Sequence, residues 1–321
     1  VVAIIAGMAL VGLTQNPWVL AVGAAVSGAG QSAWILGRQS WIAETCEPAE
    51  TGRAIAVMAG LQRVGFFLGP GLAGLLASAV GFALTFLVAA LVSIAAAGLV
   101  TVFSEKSGRE RPRQGLSLGP TLQLARQHSR IFFTAGSAAL ALQLMRATRT
   151  LLVPLFGAAI GLDAAAIGLI YSLSAGIDMC LFYPVGWVVD RHGRKWSAVP
   201  ALTLFAVALS LLPLAAGFTS LLLIACLLGF ANGLGTGIVM IIGADLSRQA
   251  DDRSRFLGVW RLIGDIGMSG APLLSAGIVS VASLSVASLV VAAMGLAGAC
   301  VMLTLVPETL ERAARRSAEL P

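Results

Sequence analysis

Ten long apolar runs separated by short polar turns constrain this chain more than any other feature of its sequence. A helix of ~20 apolar residues spans the ~30 Å hydrocarbon core of a bilayer, and inside that core the backbone polar groups must be satisfied within the protein. The runs therefore predict an all-α polytopic membrane protein. The predicted spans are 1–14, 18–43, 54–80, 82–103, 132–157, 164–189, 196–216, 220–244, 256–281 and 283–305.

Composition supports this fold class and excludes others. Only 11% of the 321 residues are charged, against about 25% in soluble domains, so an ordinary soluble enzyme is excluded. Four widely spaced cysteines and two histidines give no disulfide, zinc or hydrolytic pattern, so we predict no metal, no cofactor and no enzymatic activity. The net charge of +6 does not indicate nucleic acid as a partner, because the basic residues lie between the apolar runs.

The basic residues define the topology. Lysine and arginine gather in cytoplasmic loops close to span ends. Here 16 of the 21 basic residues lie in alternate loops, none in the loops between them, and five inside spans. The basic loops hold Arg53, the stretches 106–130, 191–195 and 248–255, and the arginines near the C-terminus. That side is predicted to be cytoplasmic, with the C-terminus on it, and the short outer turns are typical of a bacterial inner-membrane protein.

An internal repeat divides the spans into two halves. The sequence from Ser27 onward parallels the sequence from Leu228 onward at an offset of 201 to 202 residues. The paired positions include Gly28 with Gly229, Gln31 with Asn232, Arg63 with Asp265, and Gly65 with Gly267. The offset assigns two further helices to positions before residue 1, so an intact protein is predicted to have two pseudo-symmetric six-helix halves, of which about 4 + 6 helices lie here. The predicted domains are a half bundle at 1–103, a cytoplasmic linker at 104–130, a second half bundle at 131–306 and a cytoplasmic tail at 307–321.

Two motifs carry a resemblance to a known family. The loop GWVVDRHGRK (Gly186–Lys195) resembles the G-x-x-x-D-R-x-G-R-K/R loop of the major facilitator superfamily of secondary transporters, and it lies in the matching loop of the second half. Numbered as in that family, the spans would be helices 3 to 12. GFFLGPGLAG (Gly65–Gly74) in helix 5 is similar to a motif of the drug/proton antiporters, although Ala73 stands where a second adjacent glycine is usual. Helix 4 has Ala24 where that branch usually carries an arginine.

Each residue of the loop motif has a predicted role. Gly186 allows helices to approach closely, Gly193 permits a tight turn, and Asp190 can accept hydrogen bonds from a neighbouring helix N-terminus. That neighbour is expected to be helix 5, beginning near Gly52-Arg53. The resemblance implies a cytoplasmic latch in the outward-facing state; the alternative is a simple basic anchor. The basic members of the motif are Arg191, Arg194 and Lys195.

The glycine motif of helix 5 has two interpretations. Gly65, Gly69 and Gly74 form a narrow face for close helix packing, and Pro70 removes a backbone hydrogen bond and favours a kink. One interpretation is generic packing. The other, implied by the antiporter resemblance, is a seal that limits leakage between the two halves.

Charged residues inside the spans are the candidate transport residues, because a charge at a helix centre costs about 2.5–3.5 kcal/mol on insertion scales. Arg63 and Asp178 are predicted to lie at similar depth and to form a pair. Arg261 and Asp265 have i, i+4 spacing and share one helix face. The further candidates are Arg38, Arg146, Arg149 and Asn232. We expect Asp178 or Asp265 to bind the substrate or a coupling proton.

These observations predict a transmembrane transporter for a small organic solute, working by alternating access and most simply by proton-coupled efflux. An uptake symporter or facilitator is the alternative on the same fold, and a membrane sensor or scaffold is the alternative of another class. The predicted partners are a small-molecule substrate and the lipid bilayer, with a proton as coupling ion and a monomeric state. The substrate itself is not predicted.

Overall fold

The computed structural model describes residues 1–45, 48–103 and 118–309. These ranges contain helices and no strand, and they include eight helical segments long and apolar enough to cross a membrane, one of which, Phe218–Ser247, consists of α8 and α9 together. The predicted all-α polytopic class is therefore confirmed. The helices are α1 (Val2–Leu13), α2 (Pro17–Thr45), α3 (Pro48–Phe103), α4 (Leu118–Gln127), α5 (Ser129–Ala159), α6 (Ala164–His192), α7 (Lys195–Leu211), α8 (Phe218–Leu234), α9 (Ile238–Ser247), α10 (Arg253–Val281) and α11 (Leu284–Thr304).

The chain divides into two compact units, residues 1–114 (unit 1) and 115–321 (unit 2). In unit 1, α1 packs against α2 and α3. Glycines allow the α1–α2 backbones to approach closely, since a Cβ on Gly7 would lie 2.5 Å from the carbonyl oxygen of Gly23 and one on Gly30 would lie 2.8 Å from the amide nitrogen of Ile4. Small residues at a crossing point are the usual way for membrane helices to pack without large side chains.

Helix α3 contains the third and fourth predicted spans. The two spans are separated at Gly81, whose φ of +84° is not helical, and this is the position where the sequence predicts a turn. A positive φ is accessible to glycine because it has no Cβ. Pro70 lies inside α3, one residue after Gly69.

Unit 2 is a bundle with a well-packed interior. α5 packs on α10 and α11, α6 on α8, and α7 on α8 and α11. Met145 of α5, Phe205 of α7 and Phe256 of α10 are fully buried. Two glycines allow neighbouring helix backbones to approach closely: a Cβ on Gly229 would overlap the carbonyl oxygen of Ser174, and one on Gly267 would lie 2.6 Å from the carbonyl oxygen of Leu140.

The structure divides one predicted span and places a helix in the predicted linker. The predicted span 220–244 is broken into α8 and α9 at residues 235–237, with Gly237 at a φ of +73°. The predicted linker 104–130 contains α4, which belongs to unit 2 and packs on α5 and α10. Positions 104–117 of that linker, and the tail from 310 onward, lie outside the described residues.

Candidate functional site

Asp178 lies on α6 of unit 2, fourteen residues before that helix ends at His192. At ~1.5 Å per residue, Asp178 is roughly 21 Å from the C-terminal end of the helix along its axis. Its carboxylate accepts a hydrogen bond from Asn232 Nδ2 at 2.9 Å. Thr236 Oγ1 lies 3.2 Å from the other carboxylate oxygen and 3.0 Å from the carbonyl oxygen of Asn232. Because a hydroxyl has one proton, Thr236 donates to one of these two acceptors at a time.

Arg149 of α5 is only 5% exposed and lies next to the same site. Its Nη2 donates to Ser174 Oγ at 2.8 Å, and Ser174 in turn donates to the carbonyl oxygen of Ala225 on α8. The guanidinium also lies over the ring of Tyr171, 5.2 Å from its centroid. Arg149 and Asp178 are close enough for their charges to interact.

Arg146, one turn before Arg149, reaches the break between α8 and α9. Its Nη2 donates to the carbonyl oxygen of Gly235 at 2.6 Å, and its Nη1 donates to Gln143 Oε1 at 2.9 Å. A carbonyl at a break in a membrane helix loses its usual intrahelical partner and must find another one within the protein. Arg146 supplies a side-chain partner for Gly235, whose carbonyl oxygen also accepts the backbone N–H of Ile238 at 3.4 Å.

These contacts bring four of the predicted candidates together: Arg146, Arg149, Asp178 and Asn232. With Tyr171, Ser174 and Thr236 they form a polar cluster between α5, α6 and α8, which we call the Asp178 site. The cluster holds two cations and one carboxylate in an otherwise apolar bundle. Its guanidinium, amide, hydroxyl and carboxylate groups can form hydrogen bonds and ion pairs with a polar solute.

Arg261 and Asp265 do not belong to this cluster. They lie one turn apart on α10, with Arg261 Nε 3.8 Å from Asp265 Oδ2, and both side chains are more than half exposed in unit 2. The opposite face of α10 is the packed one and includes Trp260, Gly264 and Gly267. The predicted i, i+4 pair therefore exists on the exposed face of this helix.

The candidates of unit 1 lie on α2 and α3. Arg38 Nη2 donates to Gln62 Oε1 at 3.0 Å, and the neighbouring Arg63 is half-buried. The predicted pair of Arg63 with Asp178 joins residues of different units and stays a prediction.

The helix 5 motif also lies on α3. Within the described residues, nothing lies within 4 Å of where a Cβ would stand on Gly65 or Gly69, whereas Gly74 is buried and Pro70 is half-buried. The packing and sealing roles of this motif stay predictions.

The loop between α6 and α7 is fixed by residues distant in sequence. Gly193 has a φ of +108°, and a Cβ there would lie 2.7 Å from the Glu308 carboxylate. Glu308 accepts the backbone N–H of Arg194 at 2.9 Å and that of Lys195 at 3.1 Å. The carboxylate therefore stabilises the first turn of α7, where unpaired N–H groups and the helix dipole favour an anion.

Arg194 completes this network, which we call the basic-end network. Its Nε forms an ion pair with Asp245 at the end of α9, at 2.8 Å, with side chains only 11% and 7% exposed. Thr309 Oγ1 donates to the same Asp245 oxygen at 3.0 Å, and Lys195 Nζ donates to the carbonyl oxygen of Leu303 at 2.8 Å. The turn after α6, the end of α9 and the segment after α11 are thus joined.

The remaining residues of the loop motif are exposed in unit 2. Arg191 lies over the ring of Trp187, 5.3 Å from its centroid. Asp190 is exposed, and no atom lies within 4 Å of a Cβ built on Gly186. The roles predicted for Asp190 and Gly186 concern other helices and stay predictions.

Sequence reasoning missed several residues of both networks. Thr236 could have been found, since it lies one helical turn after Asn232, and Asp245 stands opposite Glu44 in the repeat. Ser174 has no pattern that distinguishes it from other small residues of α6. Among the described residues, no group of three or more His, Cys, Asp or Glu side chains could hold a metal ion.

A bundle of apolar helices around a polar, charged cluster is typical of polytopic membrane proteins that bind or transport solutes. The family model of the Major Facilitator Superfamily matches residues 1–148 and 131–320. The chain belongs to this superfamily and is a membrane transporter. No individual curated protein matches the sequence.

Proposed function

We propose that this transporter exports a small organic solute by alternating access and is driven by protons that bind at Asp178. The observation that carries the proposal is the position of Asp178, a half-buried carboxyl group deep in unit 2 that accepts hydrogen bonds from Asn232 and Thr236 and lies near the buried Arg149. The Asn232 amide and the Thr236 hydroxyl can form hydrogen bonds with either the ionised or the protonated carboxyl group. The carboxyl group can therefore gain and lose a proton during a transport cycle.

Because arginines lie nearby, protonation of Asp178 would change the electrostatic potential of the site. When Asp178 is ionised, its negative charge partly compensates the positive charge of Arg149. When Asp178 is protonated, that compensation is lost and the site becomes more positive. Since charges interact strongly where water is excluded, protonation changes the field that a bound solute meets. This is the change in relative affinity that a coupled transporter requires.

The direction of transport rests on the similarity of Gly65–Gly74 to the antiporter motif. An uptake symporter or a facilitator remains the alternative on the same fold. A sensor or scaffold needs no ionisable group inside the bundle, so the buried Arg149 and the half-buried Asp178 favour a transporter. We further propose a monomer in a bacterial inner membrane with the basic-end network on the cytoplasmic side.

The direct test is transport by the full-length protein in everted membrane vesicles, with a panel of organic compounds and with or without an imposed proton gradient. We expect gradient-driven accumulation of at least one compound. Asp178→Asn is expected to lower gradient-driven transport more than tenfold while exchange of labelled against unlabelled substrate continues. Asp163→Asn is the matched control, because Asp163 is an exposed N-cap whose side-chain oxygen accepts the N–H of Ala166 and Asn retains that acceptor.

Asp265 is the second candidate for the coupling proton. Its exposed pair with Arg261 can open without disturbing the packed face of α10, so Asp265→Asn tests it independently. Full gradient-driven transport by the variant that carries both Asn substitutions would contradict proton coupling through either residue. Accumulation that does not depend on the gradient would instead identify a facilitator.

A further inference from the structure

Arg149 places a buried positive charge inside unit 2. The residue is only 5% exposed, and its Nε atom has no hydrogen-bond partner among the described residues. Its Nη2 donates to the neutral hydroxyl of Ser174, and in the described part of the chain no carboxylate lies within ion-pair distance of the guanidinium. A charge inside a membrane bundle is costly unless a partner compensates it. Arg149 therefore indicates a function that uses its remaining N–H donors.

The carboxylate of Asp178 lies about one helical turn from this guanidinium. Ser174 and Asp178 are four residues apart on α6, so they share one face of the helix with ~5–6 Å between their Cβ atoms. Because Arg149 is bonded to Ser174, its charge is near enough to interact with that of Asp178. A carboxylate has about four positions for donors. Asp178 can therefore bind an ammonium group beside Asn232 and Thr236, or in exchange for another partner.

Three further ionisable side chains surround these two charges. Arg146 of α5 donates to two neutral acceptors, and Cys226 of α8 lies near Arg149. Tyr171 covers one face of the Arg149 guanidinium with its ring. The N–H donors of a guanidinium point outward in its plane, so a ring on its face leaves the edge of the guanidinium for a planar acceptor.

We propose that the Asp178 site binds a zwitterionic solute, a small α-amino acid or a close analogue, whose carboxylate binds Arg149 and whose ammonium group binds Asp178. The inference rests on the proposed function of this site. The fork of N–H donors on a guanidinium matches the two oxygens of a carboxylate. In an α-amino acid only two bonds of ~1.5 Å separate the ammonium nitrogen from the carboxylate carbon, and this short spacing suits partner charges about one helical turn apart.

A zwitterion also explains how a proton can drive export. Protonation of Asp178 removes the negative partner of the ammonium group, so the proton and the solute bind alternately. An exporter driven by protons requires this exclusion, because the solute and the proton cross in opposite directions. A purely anionic solute would instead bind more tightly once Asp178 is protonated and would cross together with the proton. A purely cationic solute would meet the positive charge of Arg149 with no compensating group.

Four compounds with six carbon atoms each test which charges are recognised. Norleucine carries both charges two bonds apart, its isomer ε-aminocaproate carries them at opposite ends, caproate has only the carboxylate, and norleucinamide has only the ammonium group. Binding to the full-length protein in lipid nanodiscs is measured by isothermal titration calorimetry at neutral pH. We expect norleucine to bind about tenfold or more tightly than each of the other three, since a hydrogen bond to a charged group contributes about that factor. Alanine and phenylalanine extend the series to smaller and larger side chains.

Variants assign each charge of the solute to its partner. Arg149→Gln is expected to bind norleucine and norleucinamide equally, and Asp178→Asn is expected to bind norleucine and caproate equally. Arg149→Lys keeps the charge without the fork and is expected to restore part of the preference for norleucine over norleucinamide. A purely structural role would lower both affinities of each pair by the same factor. Arg255→Gln is the matched control, because Arg255 forms a partly exposed pair with Asp252 and its loss should leave the preferences native.

Three results would overturn the proposal: equal native affinities for norleucine, caproate and norleucinamide, a native preference for norleucine over norleucinamide in Arg149→Gln, or no binding of norleucine, alanine and phenylalanine alike. None of these measurements uses a proton gradient, so the inference and the proposed function fail separately. Amino-acid binding with transport that ignores the gradient would refute the proton coupling and leave the solute class standing. Gradient-driven export of compounds that carry only one charge would refute the solute class instead.

Discussion

The two units carry the same repeat but use it differently. Gly229 and Gly267 in unit 2 pack directly against the backbones of α6 and α5. Their repeat partners in unit 1, Gly28 and Gly65, have no atom within 4 Å of a Cβ position among the described residues. In the part of the chain that the structure describes, unit 1 has no counterparts of α5 and α6. The same glycine is thus a close-packing residue in one unit and an open position in the other.

The units also differ in the partners of their arginine side chains. In unit 2, Arg194 pairs with a carboxylate and Arg149 is buried against a hydroxyl and an aromatic ring. In unit 1, Arg38 donates to the neutral amide of Gln62. The comparison predicts that removing one arginine side chain destabilises unit 2 more than unit 1, because the partners in unit 2 would stay buried without it.

Replacing an arginine in each unit should give the largest difference. Arg194→Met leaves Asp245 buried with Thr309 as its remaining side-chain partner among the described residues, and loss of one member of a buried ion pair costs ~3–5 kcal/mol. Arg38→Met removes one hydrogen bond to a neutral group and should cost ~1 kcal/mol. The free energies of unfolding can be compared by denaturation in mixed micelles. Equal losses would contradict the difference between the units.

Alanine at the repeat-related glycines tests the packing directly. Gly229→Ala forces a Cβ into the Ser174 carbonyl oxygen, and overpacking of this kind typically costs ~1–3 kcal/mol. Gly28→Ala fills open space and should be neutral or stabilising by up to ~1 kcal/mol, because alanine favours the helix. Thermal unfolding of the two variants provides the measurement. A destabilised Gly28→Ala variant would show that the Gly28 face is packed as tightly as its partner.

Serine hydroxyls offer a smaller contrast. Ser174→Ala removes the acceptor of Arg149 and the donor to Ala225 and leaves buried groups unsatisfied, at ~1–3 kcal/mol. Ser32→Ala in unit 1 removes only an exposed hydroxyl that donates to the carbonyl oxygen of Gly28, and its stability should change by less than ~0.5 kcal/mol. If the two unfolding curves shifted equally, the hydrogen bond between Arg149 and Ser174 would contribute no more to stability than that of the exposed Ser32 hydroxyl.

The exposed pair of α10 should show the smallest effect. A double-mutant cycle with Arg261→Met and Asp265→Asn is expected to give a coupling energy of ~0.3–0.5 kcal/mol, the usual value for exposed i, i+4 pairs. A coupling energy above ~2 kcal/mol would mean that this pair is shielded from solvent and behaves as a buried ion pair, like Arg194 and Asp245.

The sequence predicted the parts of the structure that depend on local patterns. Apolar length located the spans, and the glycine at position 81 separated two of them in one continuous stretch. The tight turn at Gly193 also follows from the sequence, because a positive φ there requires glycine. These features are determined by a few neighbouring residues, and no knowledge of tertiary contacts is needed to find them.

The features that the sequence did not predict depend on distant partners. The span predicted at 220–244 reads as one apolar run, and only the contacts of Arg146 and Thr236 show why it can break at 235–237. Likewise, Glu308 stabilises the start of α7 from a position 113 residues away from Lys195. The sequence pattern does not indicate such a contact, because a glutamate after the last span is equally compatible with a solvated tail.

The contact of Glu308 with α7 also bears on how the protein is made. A ribosome releases Arg194 and Lys195 more than a hundred residues before it releases Glu308. During that interval the first turn of α7 has water or lipid headgroups in place of its carboxylate. The hairpin of α6 and α7 therefore enters the membrane with an unfinished end, and its final conformation is set only when the last helix has been synthesised. A stop codon a few residues before Glu308 would leave every span in place and still deprive an early helix of its cap.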